Sequence, residues 1–520
     1  MNTKGPELTV GAVPRHYAGL EPHKIALRDA RRSLTYRELD TRSEALAAWL
    51  VAQGIGSGQV VCAFLPNCID YLIVVFAVAR SGAIFSPINP RYKAREVAAI
   101  LEQARPKVVF TTRDRRAMVQ GSAQERHLDN VLLVDVNLES GPDTLATLCL
   151  PSRTPCQLPS VSEGDFFSLM FTSGTTGEPK GVLATHRARM LWVLNATIQY
   201  GLTERDVYLG TMPQVHSAGL TFTLMHLYAG ATVRIEPSFD AERFIRIVRE
   251  EGITSALTVP TMLTMIIEAM GRVDMAQPFG TLKRLVTCGS PLPLATKERV
   301  LQLVTTELFD YYGSTESNSM TVLQPADQLR KPNSVGKPFR NVEIMIAGSD
   351  GRPCGPGVAG EVWCANPSAM TAYHNRPEDT QRAFTGRWFH TGDVGFLDED
   401  GFLHLVGRKD DVIISGGVNI YPPEIEQVLM LHPAVLDAAV VGIEDPIWGQ
   451  TLKAFLVLRQ GERLDLAQVQ QHCVAHLADF KKPRAVVFVS SLPKNAGGKT
   501  IKAALSGHSP LPTEMSLRHN

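Results

Sequence analysis

Thr172-Ser173-Gly174-Thr175-Thr176-Gly177-Glu178-Pro179-Lys180-Gly181 closes a stretch, Ser162 to Gly181, that is rich in Gly, Thr and Ser. Three glycines let backbone amides turn toward an anion, because glycine tolerates positive φ without a Cβ clash. Four hydroxyl residues add donors for phosphate oxygens, and Lys180 adds a point charge. A flexible surface loop is the bland alternative for such a cluster. The stretch is no Walker loop, since GxxxxGK[ST] does not occur in the chain; the nearest approach, Pro493 to Thr500, has proline where the first glycine belongs.

Outward from this loop, strand-like and helix-like segments alternate. Gln59 to Leu65, Ala83 to Pro87, Lys107 to Phe110 and Val131 to Val136 read as strands, with a helix over Tyr71 to Arg80. Such alternation predicts an α/β fold of parallel sheets with helices on their faces. Gly407 to Pro423 combines charge, Gly and Pro and reads as a junction. About 110 residues follow it, enough for one small domain, with strands over Val435 to Gly442 and Lys453 to Leu458.

Composition narrows the function classes. The 520 residues are 44% hydrophobic, so a large core is available. Lys+Arg and Asp+Glu both number 52, which argues against a nucleic-acid partner. No two of the eight cysteines have CxxC spacing, and scattered thiols fit a reducing compartment. The opening Met1 to Glu7 has no apolar signal core, and the longest apolar run, Leu72 to Ala79, is far short of the roughly 20 residues of a membrane span. With no peroxisomal address at the end, a soluble cytoplasmic protein without a transmembrane segment is expected.

The ten-residue loop resembles the signature of the adenylate-forming superfamily: acyl-CoA synthetases, luciferases and peptide-synthetase adenylation domains. Further similar motifs follow in order: Asp310-Tyr311-Tyr312-Gly313-Ser314-Thr315-Glu316, Trp388-Phe389-His390-Thr391-Gly392-Asp393, Gly407-Arg408-Lys409-Asp410-Asp411, Ser415 to Glu426, and Pro493 to Lys499. The resemblance implies packed α/β subdomains in a large N-terminal domain, residues 1–406, that binds AMP and the acyl group. It also implies a small mobile α+β lid, residues 407–520, turning about a hinge near Asp410. The implied reaction joins a carboxylic acid to ATP as acyl-AMP, then passes the acyl group to coenzyme A. A homodimer is compatible with it.

The resemblance also assigns residues. Thr172, Ser173, Gly174, Thr176, Gly177 and Lys180 would surround the ATP phosphates. Gly289-Ser290-Pro291, where relatives usually have Gly-Ala-Pro, would line the adenine, with Asp310, Tyr311, Tyr312, Gly313, Ser314 and Thr315 beside it. Glu316 and Thr175 would serve Mg²⁺ on the phosphates, since a hard carboxylate suits that ion. Asp393 would take the ribose hydroxyls, and Arg408 the ribose and phosphates. Each of these has an ordinary alternative: a solvated Glu, an Asx-turn Asp, a surface Arg. Lys499 would stabilise charge that builds between carboxylate and α-phosphate only in the transition state. Ser415, Gly416 and Gly417 would face the thiol of coenzyme A; relatives usually have Glu at the position of Val418.

Met212 to Gly219 resembles the gate of the acyl pocket, with His216 as the gate and Gly219 and Gly313 lining the pocket; a core histidine is the alternative for His216. Acetate-activating relatives place Trp at the position of Gly313, so an acid larger than propionate is expected. No Asp lies in Pro213 to Gly219, where amino-acid-activating relatives carry one. Fatty, aryl and carnitine-type acids all stay open. So does an adenylating enzyme that loads a carrier protein in trans.

Overall fold

A computed structural model describes residues 7–128, 130–136, 144–150, 157–173, 179–271, 279–415, 418–478, 481–494, 500–506 and 515–516. The chain packs as two compact units. The first comprises residues 1–343 and 364–389, and the second residues 344–363 and 390–520.

Two large sheets build the first unit. In the seven-stranded one, Val60–Phe64 lies between Ile84–Pro87 and Val108–Thr111, all parallel. Every residue of Val60–Phe64 is buried, which requires cover on both faces of the sheet. The helix Ile69–Ser81 supplies part of it, with all but Asp70 buried, and stops at Gly82, whose φ of 78° is the left-handed turn that ends helices. The parallel run continues to Phe166–Ser173 and then changes direction. Phe166–Ser173 pairs antiparallel with Pro179–Thr185, so the Gly-rich loop is the tip of a β-hairpin. The short strand Ala372–Tyr373 adds to the outer side of that hairpin.

The nine-stranded sheet has a parallel centre, from Ile25–Arg28 through Thr232–Ile235, Val207–Gly210, Ser255–Thr258 and Arg284–Thr287 to Leu308–Ser314. Antiparallel strands close its margins; one is Asn318–Leu323, folded back on Leu308–Ser314. Leu209, Ala256 and Leu285 pack on one face against Phe244, Ile247, Leu263 and Ile267 from two helices.

In the second unit, Asp393 to Leu397, the end of the strand Trp388–Leu397, pair antiparallel with Leu403–Arg408. A six-stranded sheet is centred on Gly449–Leu458, which pairs with Val435–Asp445 along its whole length. Ile413, Ile425, Leu429, Val440, Leu452 and Leu456 form the core there. The strands read from the sequence are therefore present. The packing division, however, falls before the junction at 407: residues 344–363 and 390–406 group with the C-terminal residues. Gly407 itself lies close against the later residues: a Cβ there would be 3.2 Å from the ring of Tyr421. Among the described residues, no helix is long and apolar enough to cross a membrane.

Candidate active site

The hairpin holds Thr172 opposite Lys180 and Ser173 opposite Pro179. Gly174, Thr175, Thr176 and Gly177 lie outside the described residues. Gly181 lets a third strand close in: a Cβ there would meet Leu169 at 2.7 Å and His374 at 3.2 Å. The His374 amide donates to the Gly181 carbonyl (2.7 Å) and that of Thr371 to Leu183 (2.8 Å). This docking delivers Tyr373. Its ring centre is 5.3 Å from Lys180 Nζ, within cation–π reach. Its hydroxyl donates to Glu316 Oε1 at 3.3 Å. The Glu316 carbonyl in turn accepts from the Met370 amide at 2.6 Å. One short strand thus joins the lysine of the loop to the carboxylate expected at the metal.

Lys180 Nζ also lies 3.3 Å from Asp379 Oδ2. A hydrogen bond from Arg382, then one from Lys180, holds the Asp379 carboxyl below its usual range. Neither Tyr373 nor Asp379 was singled out from the sequence.

Gly289, Ser290 and Pro291 are exposed beyond the carboxyl end of Arg284–Thr287. Gly289 has φ of 91°, a conformation that favours glycine. On the next strand Asp310 is buried, and burial raises its carboxyl to about 7 although Lys297 draws it down. Tyr311 is buried and Tyr312 half-buried. Ser314 and Ser317 make the turn that carries Thr315 and Glu316: the Ser317 amide donates to Ser314 Oγ and the Ser314 amide to Ser317 Oγ, both at 3.0 Å.

Two glycines need correction. A Cβ on Gly313 would sit 2.0 Å from the Asn318 carbonyl oxygen, and one on Gly219 would sit 2.3 Å from that of Pro213. Both glycines permit backbone to approach backbone, and the space a side chain would take is filled. The size of the acid therefore cannot be read from the missing side chain of Gly313. His216 is half-buried, directly ahead of the helix Ser217–Tyr228, and burial, with Arg91 adding to it, lowers its pKa.

In the second unit Asp393 stands opposite Arg408 in the strand pair, with Arg408 Nη1 3.0 Å from Asp393 Oδ1. Gly392, at φ of 70°, keeps the approach open; a Cβ there would reach 3.5 Å from the guanidinium. Lys409 Nζ is anchored 3.0 Å from Glu361. Asp410 is exposed in the turn that follows. Ser415 pairs with both Val418 and Gly449; Gly416 and Gly417 lie outside the described residues. Beside Gly449, Trp448 and Ile447 are exposed, and Arg484 covers the indole at 5.2 Å. Lys499 also lies outside the described residues, within a segment closed by a bridge between Lys494 and Thr500.

Residues 15–374 match the AMP-binding enzyme family and residues 424–499 its C-terminal domain. The chain is 36% identical to the indoleacetate–CoA ligase of Aromatoleum aromaticum, over 94% of this chain and 96% of that protein. It is 33% identical to the 2-succinylbenzoate–CoA ligase of Geobacillus kaustophilus, with the same coverage. Among solved structures, the o-succinylbenzoate–CoA synthetase of Bacillus subtilis in complex with ATP and magnesium ion superposes with a TM-score of 0.85 at 28% identity, over 95% of this chain and 98% of that one. The chain belongs to the AMP-binding enzyme family and is an AMP-forming acid–thiol ligase, an adenylate-forming acyl-CoA ligase.

Proposed function

We propose that this ligase activates an aryl or aryl-alkyl acid, larger than propionate, as its acyl-AMP and transfers the acyl group to coenzyme A. The aromatic part of the proposal is supported by the relatives, which are named for indoleacetate and 2-succinylbenzoate. The observation that carries the chemistry is the link Lys180–Tyr373–Glu316 at the base of the Gly-rich loop.

The acid carboxylate attacks the α-phosphate and pyrophosphate leaves. Lys180 and the loop amides bind the phosphates, Asp393 accepts from the ribose hydroxyls, and Arg408 orients Asp393. Lys499 balances charge on the carboxylate and α-phosphate oxygens as the bond forms. The second half-reaction places a thiolate on the acyl carbonyl and releases AMP. We assign the pivot between the two halves to Asp410 and the coenzyme surface to Ser415 and its neighbours. There Trp448 offers a stacking face for a purine and Arg484 a cation for its phosphates.

The residues fit a magnesium ion. One Glu316 oxygen accepts from Tyr373, and the other takes no hydrogen bond from a described residue. No three His, Cys, Asp or Glu converge among the described residues, so the ion would be held by one carboxylate and the nucleotide's phosphates, as Mg²⁺ commonly is. When bound, it neutralises charge on the phosphate oxygens. Scattered free thiols and the absence of paired cysteines among the described residues support a reducing compartment, the cytoplasm.

The test is a panel of aryl, aryl-alkyl, fatty and short acids, assayed for pyrophosphate with ATP and for AMP with and without coenzyme A. Acid-dependent pyrophosphate release, with AMP release that requires coenzyme A, is the expected result. Preference for acetate or propionate would overturn the assignment of the acid, and absence of coenzyme dependence that of the acceptor.

A further inference from the structure

Arg189 lies on the helix His186–Gln199, which follows the phosphate hairpin, and is only 2% exposed. Its Nη1 donates to Ser217 Oγ at 3.0 Å and to Thr221 Oγ1 at 2.6 Å. Its Nη2 reaches Ser168 Oγ at 3.4 Å and Met170 Sδ at 3.9 Å. Nε is buried with no partner among the described residues. These contacts occupy hydrogens but supply no negative charge.

Among the described residues two other arginines are buried, Arg80 and Arg234, and each has a carboxylate: Asp40 for the first and Glu236, at 2.7 Å, for the second. Arg189 has none among them. Burial brings its guanidinium down to about 10, so it stays charged at neutral pH. A buried cation without a counter-charge is costly, and such groups are normally paired.

The location gives the missing charge a source. Ser217 directly follows His216, and Thr221 is one turn further along the same helix. Ser168 and Met170 lie on the strand that leads into the Gly-rich loop. The Arg189 guanidinium is 5.3 Å from the ring centre of Trp192. The Trp192 indole donates to Ser319 Oγ at 2.9 Å, and Ser319 is opposite Gly313. Arg189 therefore sits between the candidate gate, the phosphate hairpin and the Gly313 turn.

We infer that Arg189 is a specificity-determining residue that receives a second carboxylate, carried by the acid at the end remote from the one that is adenylated. The inference rests on the ligase assignment above and adds a substrate class to it: diacids. A guanidinium fork matches a carboxylate in two hydrogen bonds, and a site built for that charge penalises an acid that lacks it.

The experiment compares matched acids: glutarate, adipate and 3-(2-carboxyphenyl)propanoate, each against its monoester esterified at the remote carboxyl. ATP–pyrophosphate exchange gives kcat/KM for wild type, Arg189→Met and Arg189→Lys. Wild type should favour at least one diacid over its ester. Arg189→Met should lose roughly ten- to hundredfold on that diacid and little on the ester, and Arg189→Lys should recover part of the loss. Thermal shift with the same acids, without ATP, reads binding independently of chemistry; diacids should raise the Tm of wild type but not of Arg189→Met. Should Arg189→Met fail to fold, Thr221→Val, which removes the 2.6 Å contact, replaces it and should weaken diacid preference in the same direction. Exchange with monoesters at rates equal to or above those of every diacid overturns the inference while leaving the ligase standing. Absence of exchange with all acids overturns the ligase; a diacid-specific Tm shift lost in Arg189→Met would then still support the anion site.

Discussion

The phosphate hairpin and the helix after it carry two cations in opposite circumstances. Lys180, in the second strand of the hairpin, is partly exposed and already paired with Asp379, with an aromatic ring against it. Arg189, on the helix that follows, is buried and surrounded by hydroxyls and a thioether. If Lys180 binds phosphates as proposed, a partner it can exchange suits that role. An arginine with no carboxylate among the described residues points to a charge that arrives with the substrate. On the proposed reading, the difference would separate the end where bonds are made from the end where the acid is chosen.

The largest expected effect involves a third cation, Lys499. Lys499→Ala should lower acyl-AMP formation by roughly 3–4 kcal/mol of transition-state stabilisation and leave thioester formation from supplied acyl-AMP intact. Equal losses in both half-reactions, measured separately, would remove Lys499 from the adenylation step.

Asp310 is the anionic counterpart of Arg189, a carboxyl whose burial raises it to about 7. A raised folded-state value means that its favourable contribution is complete below about pH 4 and lost as pH rises through 7. The wild type should therefore lose stability relative to Asp310→Asn over that window, by about 2–4 kcal/mol at roughly 1.4 kcal/mol per pH unit. Urea midpoints of the two proteins at pH 5 and pH 8 check it; parallel midpoints would show that Lys297 compensates the burial fully.

Next comes Gly313. With the Asn318 carbonyl oxygen 2.0 Å from where a Cβ would be, Gly313→Ala should cost about 1–3 kcal/mol of stability. Its ratio of kcat/KM between short and long acids should stay unchanged. A folded variant of full stability that now prefers short acids would return Gly313 to the acyl channel.

The smallest effect belongs to the Lys180 pair. Asp379→Asn should release Lys180 toward phosphate and lower the KM for ATP by about two- to fivefold, since a partly exposed ion pair contributes up to ~1 kcal/mol. A rise in that KM would mean that Asp379 orients the lysine instead of restraining it.

Much of the first unit was legible because its strands are continuous apolar runs. Val60–Phe64, Ile84–Pro87 and Val108–Thr111 stand within a residue or two of their expected bounds. Asp393 and Arg408, which the resemblance assigns to one ribose, are neighbours. Tyr373 and Asp379 were not, because they reach Lys180 from almost two hundred residues away without a pattern of their own. Arg189 is one arginine in a helical stretch, and nothing local marks it as buried. Gly313 was misread for a plain physical reason: sequence shows that a side chain is missing but not whether a cavity or a carbonyl takes its place.

The Gly-rich loop joins two antiparallel strands, whereas nucleotide loops of the Walker kind open a helix. A helix start would bring about half a positive charge from aligned peptide dipoles, fixed in space. Here the described residues on either side of the loop are strand, so its flanks contribute no helix dipole, and the lysine beside it is already shared with Asp379. A departing anion beside this lysine would therefore leave it a ready partner within the chain, the carboxylate of Asp379.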